Sequence, residues 1–261
     1  MPILQAGDAI LNFYVEGEAQ KPALLLSHPL GANLRVWDGL MPDLLAHFRV
    51  IRADTRGHGA SIAPPGPTSL DRLGGDVLAL LDEIGVEKTH FLGLSMGGAI
   101  GQWLMLQAPQ RLGRVVLANT AAQMPDADSW NKRIRLVRRE GMAALAPAIL
   151  QRWLTESFRR RRPEETQAIE NMLLASDPTG YAACCAALRD MDLREKISAA
   201  EPRPVLVIVG AHDASTPPEK GAALAASLPG AKLVRLPTAH LSCVEDAKGF
   251  LGAVLPFLNE H

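Results

Sequence analysis

Three residues stand where hydrolytic chemistry would need them. Ser95 lies in GLSMGG, residues 93–98, with the apolar run His90-Phe91-Leu92 before it and the helical pattern MGGAIGQWLM after it. A strand, a sharp turn and a helix in that order form an elbow that pushes a serine out at the top of a sheet. Gly93 and Gly97 suit that elbow, because side chains flanking the serine would crowd the turn. The start of the following helix also favours negative charge developing near Ser95. A serine hydroxyl is a poor nucleophile at neutral pH, so a base must be positioned beside it. Asp213 follows the apolar run VLVIVG in GAHDASTPP, and His240 follows KLVRL in PTAHLSCVE. The order serine, acid, histidine, with the last two in strand-end loops, is the one the elbow calls for. His240 would take the Ser95 proton, while Asp213 would hold the imidazole tautomer and stabilise its charged form.

The remaining histidines fit this role less well. His47, His90 and His261 lie before or within strands or at the terminus, and His212, beside Asp213, would point away from its neighbour on a short turn. A tetrahedral intermediate at Ser95 also needs donors for its oxyanion. SHPLG, residues 27–31, follows the first buried run, and Pro29 has no N–H, so Leu30 offers the first free amide there. The N–H groups of Leu30 and Met96 are the expected pair, and removing one such donor typically costs about 3 kcal/mol of transition-state stabilisation. No metal is expected, since Cys184-Cys185 lacks ligand spacing and no HExxH occurs. No glycine-rich phosphate fingerprint follows the first run, so no cofactor is expected either.

An α/β domain must bring these distant residues together. Apolar runs of strand length occur at Ala23–Ser27, His47–Ala53, His90–Leu94, Arg114–Ala118, Val205–Gly210 and Lys232–Leu236. Continuous apolar strands belong to a parallel sheet covered on both faces. Helical patterns lie between them at Leu70–Ile84, Gly97–Gln107, Glu219–Ser227 and Ala247–Leu258. That alternation predicts a mostly parallel, doubly wound sheet whose sites form beyond the carboxyl ends of its strands. The regularity breaks at residues 122–200, which are helical in pattern and carry no convincing strand. Residues 1–121 and 201–261 are therefore expected to form the core, and 122–200 an inserted helical cap. From Trp130 to Glu165 that cap has ten basic residues against four acids. Most should form a solvated face, with one or two arginines pointing inward.

Composition bounds the functions available. The chain has 261 residues, 48% hydrophobic, with a formal net charge of -1, which gives no overall pull toward nucleic acid or an anionic membrane. The N-terminal MPILQAGDAILNF lacks the pattern of a secretory leader, and no stretch approaches the roughly 18 apolar residues of a membrane span. Three cysteines, two of them adjacent, make a disulfide framework unexpected and a reducing cytoplasm the natural compartment. Nothing in the residues fixes an oligomeric state.

With these residues in place, the chain resembles the α/β-hydrolase superfamily over essentially its full length. The segment DTRGHGAS, residues 54–61, is similar to a structural loop of that superfamily, which implies that Arg56 and His58 organise the loop. Within the superfamily, SHPLGANLRVWD, GLSMGGAIGQWL, LANTAA, GYAACCAALRDMDLR and AHLSCVE resemble the 3-oxoadipate enol-lactonases of aromatic-compound breakdown. The resemblance implies cofactor-free hydrolysis of a cyclic enol ester, a small anionic lactone, to 3-oxoadipate in the cytoplasm. Some members are fused to a carboxymuconolactone decarboxylase. This chain ends at Phe257-Leu258-Asn259-Glu260-His261, so a separate protein is expected for that step. The lactone carboxylate needs a donor, and Trp130 and Arg133, spaced i, i+3, would share a helix face. Trp130 is expected to wall the ring pocket and Arg133 to pair the carboxylate, with Trp153 as a second candidate wall. A general carboxylesterase or perhydrolase on the same triad remains the alternative, because fold and triad do not fix substrate. A hydrolase-like binding protein with little turnover is disfavoured by the intact triad.

Overall fold

In the computed structural model, residues 3–124 and 126–260 are described. The strands are β1 (Ile3–Ala6), β2 (Ala9–Glu16), β3 (Ala23–Ser27), β4 (Arg49–Ala53), β5 (Thr89–Leu94), β6 (Leu112–Ala118), β7 (Val205–Gly210) and β8 (Lys232–Leu236). They form one eight-stranded sheet in the order β1-β2-β4-β3-β5-β6-β7-β8. The pairings β1 with β2 and β2 with β4 are antiparallel, and the rest are parallel. The apolar runs explain the middle of the sheet: all six residues of β7 are buried, as helices cover both of its faces.

Three local features depart from the sequence pattern. The antiparallel β1–β2 pair, turning at Gly7 with φ 59°, is not marked by any apolar run. Its buried positions alternate along β1 with exposed ones, as on a half-covered edge strand. The fourth strand begins at Arg49, not at His47. His47 instead ends helix α1 (Met41–His47), and Phe48 is the extended residue after it. His261 lies outside the described residues.

The helices that follow the strands are α2 (Leu70–Glu83) and α3 (Met96–Gln107). Between β6 and β7 come α4 (Ala127–Glu140), α5 (Ala146–Trp153), α6 (Glu156–Arg161), α7 (Pro163–Leu174) and α8 (Pro178–Arg189), with no strand among the described residues. The chain closes with α9 (Pro218–Ser227), α10 (Ser242–Glu245) and α11 (Ala247–Asn259). Ser69, Asp126, Thr155 and Asp177 cap α2, α4, α6 and α8 through side-chain oxygens that accept backbone N–H bonds. Cys184 and Cys185 are fully buried on α8 and pack as small apolar side chains, and burial pushes both thiols up.

Helix α8 is fixed to the loop after β4 at backbone distance. A Cβ on Gly180 would stand 2.2 Å from the Gly57 carbonyl oxygen, and one on Gly57 would stand 2.5 Å from the Gly180 Cα. The loop itself is organised by Asp54, whose carboxylate accepts from Asn12 Nδ2 and Leu34 N, each at 2.8 Å, and from Ala60 N at 2.9 Å. Buried Arg56 forms a two-armed pair with Asp76 at 2.6 and 2.7 Å. No described helix is long and apolar enough to cross a membrane.

Candidate active site

The turn from β5 to α3 holds Ser95 at φ 57°, ψ -111°, a left-handed conformation that a serine adopts only where its surroundings enforce it. The Ser95 N–H donates to Ala118 O at 2.9 Å, and the Thr120 hydroxyl donates to Ser95 O at 2.8 Å. The flanking glycines admit no substitute. A Cβ on Gly97 would lie 2.0 Å from Ser27 O, and one on Gly93 would lie 2.3 Å from Gly97 O. The elbow is thus pressed against the end of β3, where the Leu30 loop begins.

Asp213 and His240 meet beyond the ends of β7 and β8. His240 Nδ1 is 2.8 Å from Asp213 Oδ2, with both side chains buried. Since the carboxylate accepts, Nδ1 carries the proton and Nε2 is left as the basic nitrogen. Four further contacts hold the acid. The N–H groups of Ser215 and Thr216 donate to Oδ1 at 2.8 and 2.9 Å, and Asn119 Nδ2 and the Thr216 hydroxyl reach Oδ2 at 3.1 and 2.8 Å. Burial pushes the Asp213 carboxyl up, but the His240 charge and the hydrogen bonds from His240, Thr216 and Asn119 outweigh it. The group is held below its ordinary value and stays ionised. His212 next door is exposed.

Ser95 and His240 open into one cavity of about 170 Å³, whose walls include Leu30, Trp130, Arg133, Trp153 and Tyr181. Five of the eight residues singled out from the sequence (Leu30, Ser95, Trp130, Arg133, Trp153) therefore face the same space as His240. Asp213 stands behind the histidine. The Met96 side chain is fully buried, and only its N–H, the first of α3, is suited to face an anion. The Leu30 loop is set by His28. Thr55 N donates to His28 Nε2 at 2.9 Å, which leaves Nδ1 as the protonated nitrogen, 2.8 Å from Pro29 O. Burial pulls His28 below its ordinary value, so the ring stays neutral and the loop keeps its shape. Ser176, after α7, adds a bond from its hydroxyl to Gly31 O at 2.9 Å.

The roof of the cavity comes from the helical segment. Arg133 stacks on Trp130, its guanidinium carbon 4.8 Å from the ring centroid, and donates to the Tyr181 hydroxyl at 3.4 Å. Trp153 lies near-parallel to the His240 ring at 6.2 Å, and Leu241 N donates to Trp153 O at 3.0 Å. Residues that the sequence pattern did not mark also line the space: Arg152 beside Trp153, Tyr181, and Thr216 next to Asp213. Lys132, Arg135, Arg138, Arg139 and Arg160 to Arg162 are exposed, as a solvated face requires. Among the described residues, no group of three or more His, Cys, Asp or Glu could hold a metal ion.

Comparison with known proteins places these features in company. Residues 22–247 match the alpha/beta hydrolase fold family. The chain is 40% identical over 251 residues to 3-oxoadipate enol-lactonase 2 of Acinetobacter baylyi, covering 96% of this chain and 94% of that protein. The enol-lactonase structure from Burkholderia xenovorans superposes with a TM-score of 0.97 at 39% identity, covering 99% of this chain and all of the other. A hydrolase from Pseudomonas aeruginosa superposes with a TM-score of 0.96 at 47% identity, over 99% of this chain and 98% of its own.

Proposed function

The chain belongs to the alpha/beta hydrolase fold family and stands among its 3-oxoadipate enol-lactonases, and we propose that Ser95, His240 and Asp213 carry its reaction, the hydrolysis of 3-oxoadipate enol-lactone to 3-oxoadipate. The observation that carries this reading is the shared cavity: Ser95 and His240 at one end, Arg133 on Trp130 in its wall. On this reading residues 1–121 and 201–261 form the catalytic core and residues 122–200 cap it, in a cytoplasmic enzyme that uses no cofactor.

The steps follow from the groups present. His240 Nε2 takes the Ser95 proton as Oγ adds to the lactone carbonyl, and the Leu30 and Met96 N–H groups receive the oxyanion. Collapse breaks the ring ester bond and protonates the enol oxygen, which tautomerises to a ketone still tethered to the acyl chain. The leaving group is therefore better than a plain alkoxide. A water deprotonated by His240 then adds to the acyl carbonyl and frees Ser95. Arg133 pairs the carboxylate that the lactone carries in, Trp130 walls the ring, and Trp153 closes the space over His240. The buried Trp130 Nε1–H lacks an acceptor among the described residues, so this wall has a donor to spare.

The test compares initial rates on the enol-lactone and on a neutral p-nitrophenyl ester, for wild type and Ser95→Ala. A strong lactone preference lost in the variant is expected. Fast neutral-ester turnover without lactone turnover would keep Ser95 and assign the chain to the general esterases.

A further inference from the structure

Arg133 does not face the cavity alone. Arg152, half-buried near the end of α5, lines the same space, and no aspartate or glutamate is among the described residues that do. Neither arginine has a carboxylate within ion-pair distance among the described residues, although many of the surface arginines do. Two guanidinium groups facing one small, partly dry space repel each other, and no carboxylate among the described residues lining it offsets this. Burial first, and then the Arg133 charge, pull Arg152 below its ordinary value, against a smaller opposing pull from Tyr181. A monoanionic lactone would neutralise only one of the two.

The second charge has a counterpart in the reaction itself. Arg133 sits on α4, stacked on Trp130 and bonded to Tyr181 of α8, where the incoming carboxylate would rest. Arg152 lines the same cavity as Ser95 and His240, and it precedes Trp153, whose ring lies 6.2 Å from that of His240. Hydrolysis of the acyl-enzyme adds water to the carbonyl, returns the His240 proton to Ser95 and leaves an acid that ionises at neutral pH. A second carboxylate is thus created beside Ser95 and His240, in the cavity that Arg152 also lines. We propose that Arg133 and Arg152 form a two-guanidinium receptor, in which Arg152 holds the newly formed carboxylate, so that the site selects linear dicarboxylates over monocarboxylates. This rests on the lactonase reading for the identity of the product, and on the cavity alone for the ligand class. Its consequence for turnover is competitive inhibition by the ring-opened dicarboxylate.

The experiment uses two inert acids of equal length, adipate and hexanoate, and reads their binding as protection of Ser95 from a fluorophosphonate label at pH 7.5. Adipate is expected to protect at concentrations about tenfold lower than hexanoate, the difference one added charge-assisted pair makes. Arg152→Gln should bring the two acids to within about twofold, while Arg133→Gln weakens both. Equal protection by adipate and hexanoate in the wild-type protein would overturn the proposal without recourse to any variant. So would an adipate advantage that survives in Arg152→Gln with its circular dichroism intact. Because labelling needs no lactone turnover, adipate selectivity in a protein inactive on the lactone would sink the lactonase reading alone. Lactone turnover without adipate selectivity would sink the receptor alone.

Discussion

Glu245 accepts hydrogen bonds from both the N–H and the hydroxyl of Thr155, ninety positions away in the chain. Its second oxygen accepts from Ala239 N at 2.8 Å, the residue before His240. One carboxylate therefore fastens the histidine loop to the segment that carries Trp153. Glu245→Ala should lower kcat about 10- to 100-fold through a misplaced imidazole, with KM changed far less. Glu245→Gln, which keeps one acceptor oxygen, should fall between. Steady-state kinetics decide it, and an unchanged kcat in the alanine variant would show that the loop holds its place unaided.

The tautomer of His240 depends on Asp213 accepting from Nδ1. Asp213→Asn offers an amide that can donate there instead, turning the basic nitrogen away from Ser95. A fall in kcat of about 10⁴-fold is expected, with only a small change in melting temperature. Activity within tenfold of wild type would mean that another group orients the ring.

Gly97→Ala tests the elbow directly. The new methyl would overlap Ser27 O, at 2.0 Å, in a region with no free volume. A loss of about 3 kcal/mol in urea unfolding, or insoluble protein, is expected. A variant with wild-type stability would require a wider turn than this one.

His58 predicts acid sensitivity that does not run through His240. It is buried, Nδ1 lies 3.2 Å from Arg56 O, and burial pulls it from 6.5 to about 3. The unfolded chain thus binds a proton on His58 below about pH 6.5 that the folded chain refuses until about pH 3. The folded-state value is the lower one, so the stability His58 confers is complete above 6.5 and drains away as pH falls through that window. Urea unfolding at pH 7.5 and 5.5 should show wild type losing stability on acidification, and His58→Gln losing less. An equal loss in both would place the acid sensitivity elsewhere.

Much of this was legible in the residues. β3, β5 and β7 read as apolar runs because both of their faces are covered, and the proposed triad could be ordered because its members follow strand ends. β1 and β2 escaped that reading, since β1 is an edge strand and the antiparallel pair mixes polar and apolar positions. Arg152 escaped for another reason: an arginine in a basic stretch looks the same whether it faces solvent or a cavity. Only the packing of α5 over His240 separates it from Arg159 or Arg160. Glu245 sits in a quoted motif, AHLSCVE, yet its partner Thr155 lies ninety positions away, and no local spacing encodes that contact.

The abutting backbones of Gly57 and Gly180 bear on how this protein can be rebuilt. The two positions behave as one unit shared between the loop after β4 and a helix more than a hundred positions later. Replacing the helical segment with one from another hydrolase would succeed only if the donor brought glycine at its own version of position 180. A donor with alanine there would have to push the loop aside, and with it Asp54, His58 and the His28 contact to Thr55. Chimeras should therefore be cut so that α8 travels with its own loop, leaving α4 and α5 as the part of the roof that can be exchanged to change substrate.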